Sequence, residues 1–152
     1  MFSEYSTGTH RFVLMSDLLT AFHKMRDLLN TIGLDIEMTA GWRGQKEQDE
    51  YKAKGTSNAA WGDSPHNFGA AFDIVPIING HKTYEINDVT WSKIGFAGEH
   101  FGIQWGYDWD GDGIVNDKDA TPGSKFDDRP HFQVKNWKEK GFKLYEEEPP
   151  IG

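Results

Sequence analysis

The chain contains no cysteine, which excludes a disulfide framework and any metal site held by thiolates. Basic residues are also scarce, since 16 lysines and arginines face 24 aspartates and glutamates, for a formal net charge of −8. Because nucleic-acid binding needs clustered positive charge, we expect no nucleic-acid partner. No apolar run approaches the ~20 residues of a membrane span, so we expect no membrane insertion. The N-terminus has no basic region followed by an apolar one, so we expect no secretion signal.

What is present is the composition of a globular protein. Of the 152 residues, 37% are hydrophobic and 14% aromatic, enough to form one core. We find no internal repeat and no linker, so residues 1–152 are predicted to form a single domain, and nothing requires more than a monomer. Helices interspersed with short strands indicate an α+β fold.

Hydrophobic periodicity locates the elements. A helix capped by Ser16 and ended by Gly33 is predicted to bury Leu19, Phe22, Met25, Leu29 and Ile32. A second amphipathic helix is predicted over residues 89–101, with core candidates Trp91, Ile94, Phe96 and Phe101. A short polar helix is predicted over residues 45–54, and strands around residues 36–38, 71–76 and 130–134. Residues 1–9 are predicted to be an extended lead-in, and residues 146–152 a flexible tail.

A histidine and an aspartate lie seven residues apart in the segment from Ser64 to Asp73. Imidazole and carboxylate are both good zinc ligands, and a catalytic zinc takes three protein ligands and leaves one position for water. His66 and Asp73 therefore need a third ligand from elsewhere. The best candidate is His131, because it begins an apolar strand that can hold the ring rigidly and follows two aspartates.

Together these segments reproduce a known pattern. Residues 64–73 match S-x-H-x-x-G-x-A-x-D at every specified position, a coincidence expected on the order of once per million positions by chance. Asp128 and His131 supply the acidic-x-x-His element that accompanies it. The chain resembles the D-Ala-D-Ala carboxypeptidase and L-alanyl-D-glutamate endopeptidase family of zinc peptidases, which includes vancomycin-resistance D,D-peptidases and phage endolysins. The resemblance covers roughly residues 16–134.

The resemblance implies a fold and a role for individual residues. The fold would be of the hedgehog/D,D-peptidase type, with a short antiparallel sheet that carries the zinc site and packs against helices. It implies zinc ligands at His66, Asp73 and His131, a catalytic carboxylate at Asp128, with Asp127 as its rival, and an arginine at Arg43 that meets the oxyanion or a substrate carboxylate. Ser64 and Trp105 are implied as substrate contacts, and Gly69 and Ala71 as small residues that let the ligand loop close on its strand.

A second metal site is predicted over residues 108–119, which fit a twelve-residue EF-hand-like calcium loop with glycine at position six. Its ligands would be Asp108, Asp110, Asp112, the Ile114 carbonyl, Asn116 and Asp119. The last ligand is aspartate, as in dockerin-type loops, and no flanking helices are evident. The loop lies between Trp105 and Asp128, so calcium could set the geometry of the active site. The alternative is an acidic surface loop that binds nothing.

These features support three functions. The first is a zinc peptidase that cuts the peptidoglycan stem peptide. Its short build resembles phage endolysins of the L-alanyl-D-glutamate type, which would remain in the host cytoplasm until released to the cell wall. A D-Ala-D-Ala carboxypeptidase is the alternative within this class. The second is a non-catalytic, zinc-containing wall-binding module. The third, a dockerin-like calcium adaptor, leaves His66, Asp73 and His131 unexplained and would need a duplicated loop.

Overall fold

The computed structural model describes residues 1–113 and 127–152. It contains three α-helices and seven strands within these ranges. The helices are α1 (Ser16–Asn30), α2 (Gln45–Ala53) and α3 (Asp88–His100). The strands are β1 (Phe2–Ser6), β2 (Arg11–Met15), β3 (Asp35–Ala40), β4 (Ala71–Ile78), β5 (His81–Lys82), β6 (Gln104–Trp105) and β7 (His131–Gln133). Two 3₁₀ turns are present, Pro65–Phe68 and Trp137–Lys140.

The central sheet has the strand order β3-β4-β7-β6, with β5 paired to the far end of β4, and every pairing is antiparallel. One face of this sheet packs against α1 and α3, which also pack against each other. The core lies between these two layers, and the opposite face of the sheet is free to carry a site. The predicted α+β class is confirmed. Among the described residues, no helix has the length and apolarity needed to cross a membrane.

Strand alternation decides which residues enter the core. Phe72 and Phe132 are cross-strand partners on β4 and β7, and their fully buried rings stack 5.4 Å apart on the helical side. Successive side chains of a strand point to opposite faces, so Asp73 and His131 are directed to the other side. One face of the sheet therefore lines the hydrophobic core and the other lines a polar cleft, and adjacent residues of each strand face opposite sides.

Helix α1 begins and ends differently from the prediction. Ser16 does not cap the helix, because it is the first helical residue and its hydroxyl bonds Ser3 Oγ at 2.6 Å. Ile32 is not a core residue, because the helix ends at Asn30 and the Ile32 side chain is 57% exposed. The other predicted core positions of this helix, Leu19, Phe22, Met25 and Leu29, are buried as expected.

Helix α3 lies within one residue of its predicted bounds and is capped by Asn87, whose side chain accepts from the Thr90 amide at 2.7 Å. Its glycines allow close packing on the sheet. A Cβ at Gly95 would lie 2.0 Å from the Trp105 ring, so only glycine fits there. This contact presses α3 onto β6, the strand that leads into the site.

The two chain ends are more structured than the sequence indicates. The predicted lead-in forms β1, which pairs with β2 in a hairpin. Segment 146–152, predicted to be a flexible tail, contacts this hairpin at three places. Glu148 pairs with Arg11 at 2.8 Å, Ile151 bridges Phe2, and the Gly152 amide donates to the Phe2 carbonyl at 3.2 Å.

Candidate metal centre and active site

The register of β4 and β7 brings two of the predicted zinc ligands together. Asp73 and His131 are direct cross-strand partners, and His131 Nδ1 lies 3.0 Å from Asp73 Oδ1. They are 58 residues apart in the chain, so their contact is a product of strand pairing alone. Because side chains opposite each other on one sheet face are close neighbours, this pairing supplies two convergent donors on a rigid support.

The third predicted ligand, His66, is held by the 3₁₀ turn Pro65–Phe68. Ser64 caps this turn by accepting from the His66 amide at 3.3 Å, and Asn67 bonds back to the Ser64 amide. Gly69 ends the turn with φ +69°, a backbone conformation that favours glycine. The turn directs His66 Nε2 to within 3.3 Å of Asp73 Oδ1.

The three side chains fit a divalent metal. One donor atom from each of His66, Asp73 and His131 lies within 4.8 Å of the other two. Each imidazole holds its remaining nitrogen against an oxygen acceptor, the Gly41 carbonyl at 2.9 Å for His66 Nδ1 and Gln133 Oε1 at 2.9 Å for His131 Nε2. This second contact is the usual way in which a protein orients a histidine ligand. Two imidazoles and one carboxylate are a donor set that catalytic zinc sites use.

Strong charge coupling accompanies this geometry. Burial alone would raise the pKa of Asp73, but the charge of His66 and the hydrogen bonds from both histidines hold it well below its usual range. Burial alone would lower the pKa of His131, but its hydrogen bond with Asp73 and the charge of that carboxylate raise it to about 9. Positive charge at the histidines therefore stabilises the Asp73 carboxylate, and a bound cation would supply the same stabilisation.

Asp128 lies beside this trio with its side chain 56% exposed to the cleft. Its Oδ2 is 4.0 Å from His131 Nδ1, while its amide donates to the Gly106 carbonyl at 2.9 Å. Although its side chain reaches solvent, desolvation by the surrounding protein raises the pKa of Asp128. The charge of His131 opposes this shift and that of Asp73 adds to it. A carboxyl with a raised pKa next to a metal centre is suited to taking and returning a proton.

The rival carboxylate, Asp127, is engaged elsewhere. Its two oxygens accept from Arg129 at 2.8 and 3.0 Å, and its side chain is only 14% exposed. Arg129 also bonds Asp88 at the start of α3. The geometry therefore favours Asp128 over Asp127 as the residue that faces a substrate.

Arg43 lies in the wall of the same cleft and is 8% exposed. Its Nη1 donates to Gln48 Oε1 at 3.1 Å, and its guanidinium lies 4.3 Å from the centroid of the Tyr51 ring. Both partners belong to α2, so this short polar helix serves to orient the arginine. Guanidinium donors fixed in this way can meet a carboxylate or a developing oxyanion.

The cleft around these groups has a volume of about 510 Å³. The predicted substrate contact Ser64 lines it, although its hydroxyl also serves as the cap of the turn. The other lining residues are Thr39, Ala40, Arg43, Tyr51, Thr56, Ser57, Ala59, Asp63, Pro65, His66, Asp73, Trp109, Asp128, His131 and Gln133.

The substrate contact predicted at Trp105 does not fit the structure. Its side chain is fully buried, packs against Gly95, and donates from Nε1 to the Arg129 carbonyl at 2.8 Å. It therefore supports the turn between Asp128 and His131 from behind. The tryptophan that lines the cleft is Trp109, four residues later, which the sequence did not distinguish.

The predicted calcium loop, residues 108–119, is called the acidic segment here, and the structure describes it only as far as Gly113. The carboxylates of Asp108, Asp110 and Asp112 converge within 4.8 Å of one another. Asp108 is fully buried, and one of its oxygens has no hydrogen-bond partner. Burial and then the Asp108 carboxylate raise the pKa of the neighbouring Glu99 to about 8. The other predicted calcium ligands, Ile114, Asn116 and Asp119, lie outside the described residues.

Fold and site together define an α+β protein with a candidate His-Asp-His metal site and an adjacent carboxylate. The chain belongs to the family of phage L-alanyl-D-glutamate peptidases, which matches residues 14–134. It is 27% identical over 117 residues to the peptidoglycan L-alanyl-D-glutamate endopeptidase CwlK of Bacillus subtilis. That match covers 67% of this chain and 62% of CwlK, so the chain spans less than two thirds of that relative.

Solved structures share the fold. The L-Ala D-Glu endopeptidase ChiX of Serratia marcescens superposes with a TM-score of 0.62 and 19% identity, over 83% of this chain and 84% of ChiX. A mutant of the vancomycin-resistance D,D-pentapeptidase VanY from a VanB-type cassette, in complex with Zn(II), superposes with a TM-score of 0.58 and 19% identity. This match covers 88% of this chain and 78% of that one. VanYB in complex with D-alanine-D-alanine superposes with a TM-score of 0.57 and 18% identity, over 88% of this chain and 76% of that one. The family match over residues 14–134 confirms the resemblance inferred from the sequence, and these structures confirm the fold.

Proposed function

We propose that this chain is a zinc-dependent peptidase that hydrolyses the L-alanyl-D-glutamate bond of the peptidoglycan stem peptide. The observation that carries the proposal is the convergence of His66, Asp73 and His131 in one cleft with Asp128 beside them. Family membership supports the choice of bond, because the matched family is described by this activity. We further propose that it acts as a phage lysis enzyme, because the matched family is described as a phage peptidase, and that it does so as a monomer.

The metal ligands, Asp128 and Arg43 have separate roles in the proposed hydrolysis. His66, Asp73 and His131 would hold a zinc ion, which would supply a Lewis acid able to polarise a carbonyl and favour ionisation of water. Asp128 accepts a proton from the attacking water and returns it to the leaving amine, a role typically worth roughly 10²–10⁴ in rate. Arg43 binds either the oxyanion that develops on the scissile carbonyl or a carboxylate of the substrate, held in place by Gln48 and Tyr51.

The test is mass spectrometry of purified peptidoglycan digested by the zinc-loaded protein and by chelator-treated protein. We expect new N-terminal D-glutamate ends that require zinc and that fall by roughly 10²–10⁴-fold in Asp128→Asn. Asp27→Asn, an exposed carboxylate on α1, is the matched control and should retain full activity. An Asp128→Asn enzyme as active as wild type would rule out the role of Asp128.

The same digest separates the alternatives. A D-Ala-D-Ala carboxypeptidase would release terminal D-alanine, an outcome that the shared fold with VanYB makes worth measuring. A protein that binds zinc and sediments with peptidoglycan but leaves every bond intact would be a wall-binding module. Either result would replace the proposed specificity.

We also propose that the acidic segment binds calcium and steadies the adjoining part of the cleft. Support comes from the three convergent carboxylates and from the buried Asp108 oxygen that lacks a partner. Terbium can replace calcium, and Trp109 is placed to sensitise its luminescence. We expect terbium emission that calcium displaces and that Asp112→Asn weakens. Emission unchanged in this variant would mean that the segment does not bind the ion.

A further inference from the structure

Three groups outside the metal-ligand set form a continuous hydrogen-bonded chain that ends on His131. Gln104 Nε2 donates to the Trp109 carbonyl at 2.6 Å, and Gln133 Nε2 donates to Gln104 Oε1 at 2.9 Å. Gln133 Oε1 then lies 2.9 Å from His131 Nε2. Gln133 and His131 are buried, at 9% and 6% exposure. We refer to Trp109, Gln104, Gln133 and His131 as the glutamine relay.

The direction of every bond in the glutamine relay is determined by its first member. A backbone carbonyl can only accept, so the amide of Gln104 must turn its NH₂ toward Trp109 and its oxygen toward Gln133. That oxygen requires the NH₂ of Gln133, which leaves the Gln133 oxygen facing His131. An oxygen acceptor requires a proton on His131 Nε2. The unprotonated nitrogen of a neutral His131 is therefore Nδ1, the atom that faces Asp73.

Reversing one amide would break the sequence of donors and acceptors. A flipped Gln133 would place two NH₂ or N–H donors against each other at His131 and two oxygens against each other at Gln104. Burying polar groups without partners destabilises the folded protein, so the reversed arrangement is disfavoured. The relay therefore holds one tautomer and one ring orientation, as conserved outer contacts do for histidine ligands in general.

We propose that Gln133 and Gln104 are positioning residues that hold His131 in its Nε2–H tautomer and thereby present Nδ1 to the metal. The glutamine relay starts at the carbonyl of Trp109, between Asp108 and Asp110 of the acidic segment. It therefore connects the zinc ligand to the neighbouring acidic segment through side chains. This inference rests on the proposed zinc centre and is independent of which peptide bond is cut.

The experiment compares Gln133→Leu, Gln133→Glu and Gln104→Leu with the exposed control Gln45→Leu. Zinc affinity is measured by competition with a chromogenic chelator, and the His131 tautomer by ¹⁵N NMR of the zinc-loaded protein. Gln133→Leu should bind zinc about 10–100-fold more weakly. Gln133→Glu should weaken zinc binding less than Gln133→Leu, because a carboxylate still accepts from Nε2 although it loses the donor to Gln104 Oε1. Gln104→Leu should weaken binding less than Gln133→Leu, and Gln45→Leu should match wild type.

Wild-type zinc affinity in both Gln133→Leu and Gln104→Leu would overturn the proposal, as would a proton on Nδ1 in the zinc-loaded protein. If Gln133→Leu does not fold, Gln104→Leu and the tautomer measurement decide. Because neither readout uses peptidoglycan, a protein that shows the expected affinities but cuts no peptidoglycan would refute only the proposed function. If the wild type binds no zinc, the zinc-peptidase proposal fails. The relay is then tested by whether the His131 Nε2–H signal of the metal-free protein, protected from exchange, is lost in Gln133→Leu.

Discussion

Replacing Gly106 by alanine would displace the turn that carries both Asp128 and His131. The Gly106 amide donates to the His131 carbonyl at 2.7 Å, and its carbonyl accepts from the Asp128 amide at 2.9 Å. A Cβ at this position would lie 2.2 Å from the Asp128 carbonyl oxygen and 3.0 Å from His131 Cβ. Because the nearest obstructing atom belongs to the backbone, the turn must move by on the order of 1 Å to restore ordinary contact.

Two magnitudes follow from that displacement. Overpacking of a tight contact costs about 1–3 kcal/mol of stability. A misplacement of about 1 Å in a catalytic group costs on the order of 10²-fold in rate. We therefore expect Gly106→Ala to fold with a lowered melting temperature, to bind zinc more weakly, and to lose about 10²-fold in peptidoglycan hydrolysis. Thermal unfolding, chelator competition and turbidity of a cell-wall suspension measure the three effects.

Gly33→Ala is the control for destabilisation without displacement. Gly33 has φ +80°, and a Cβ there would meet no atom within 4 Å. Alanine in this left-handed conformation costs about 1–2 kcal/mol, similar to the loss expected at Gly106. Gly33→Ala should lose stability but keep zinc affinity and activity. Full activity and zinc affinity in Gly106→Ala would refute the close coupling between this glycine and the site.

Three further predictions concern other parts of the molecule. Arg43→Lys should lose about 10²-fold in hydrolysis yet bind zinc normally, because lysine cannot keep the guanidinium contacts with Tyr51; unchanged hydrolysis would contradict this. Phe22→Ala should lower the free energy of unfolding by about 3–5 kcal/mol in urea titrations, because its fully buried ring packs against Phe72 of β4. A loss under about 1 kcal/mol would show instead that the core collapses around the gap. Burial would raise the pKa of Asp35, but the hydrogen bonds from Arg26 and other donors outweigh it and lower that pKa. The stability that Asp35 contributes is therefore complete above its unfolded pKa and is lost as pH falls through its folded pKa. The difference in unfolding free energy between wild type and Asp35→Asn, at most about 1 kcal/mol at neutral pH, should shrink near pH 3.

Local sequence was sufficient to predict the helices and the ligand segment. Helix α3 begins and ends within one residue of the predicted bounds, because its apolar spacing is regular. His66 could be identified because a serine, a proline and a glycine around it specify a capped turn followed by a strand. Such features depend on neighbours within a few residues, which a single sequence displays directly.

Errors arose where packing between distant segments decides a residue's role. Trp105 belongs to a Trp-Gly pair that resembles a cleft-lining motif, yet α3 approaches so closely at Gly95 that the ring is sealed in the core. Residues 1–9 read as an unpaired extension because the pairing strand β2 has no strong alternation of its own. The burial of Trp105 is not encoded by its sequence neighbours. The β1–β2 hairpin, in contrast, is local, with only residues 7–10 between its strands, and it was missed because its pattern is weak.

The amino-acid sequence by itself determined the chemistry available to this protein, namely two imidazoles and a carboxylate on rigid elements, a nearby base, an arginine and a group of acidic residues. Only the tertiary structure decided how they combine. The β4–β7 register places Asp73 opposite His131, and the same sheet brings Gln104 beside Gln133. The physical reason is that strand register and hydrogen-bond direction depend on partners 29 to 58 residues away, whose positions follow from the packing of the whole core.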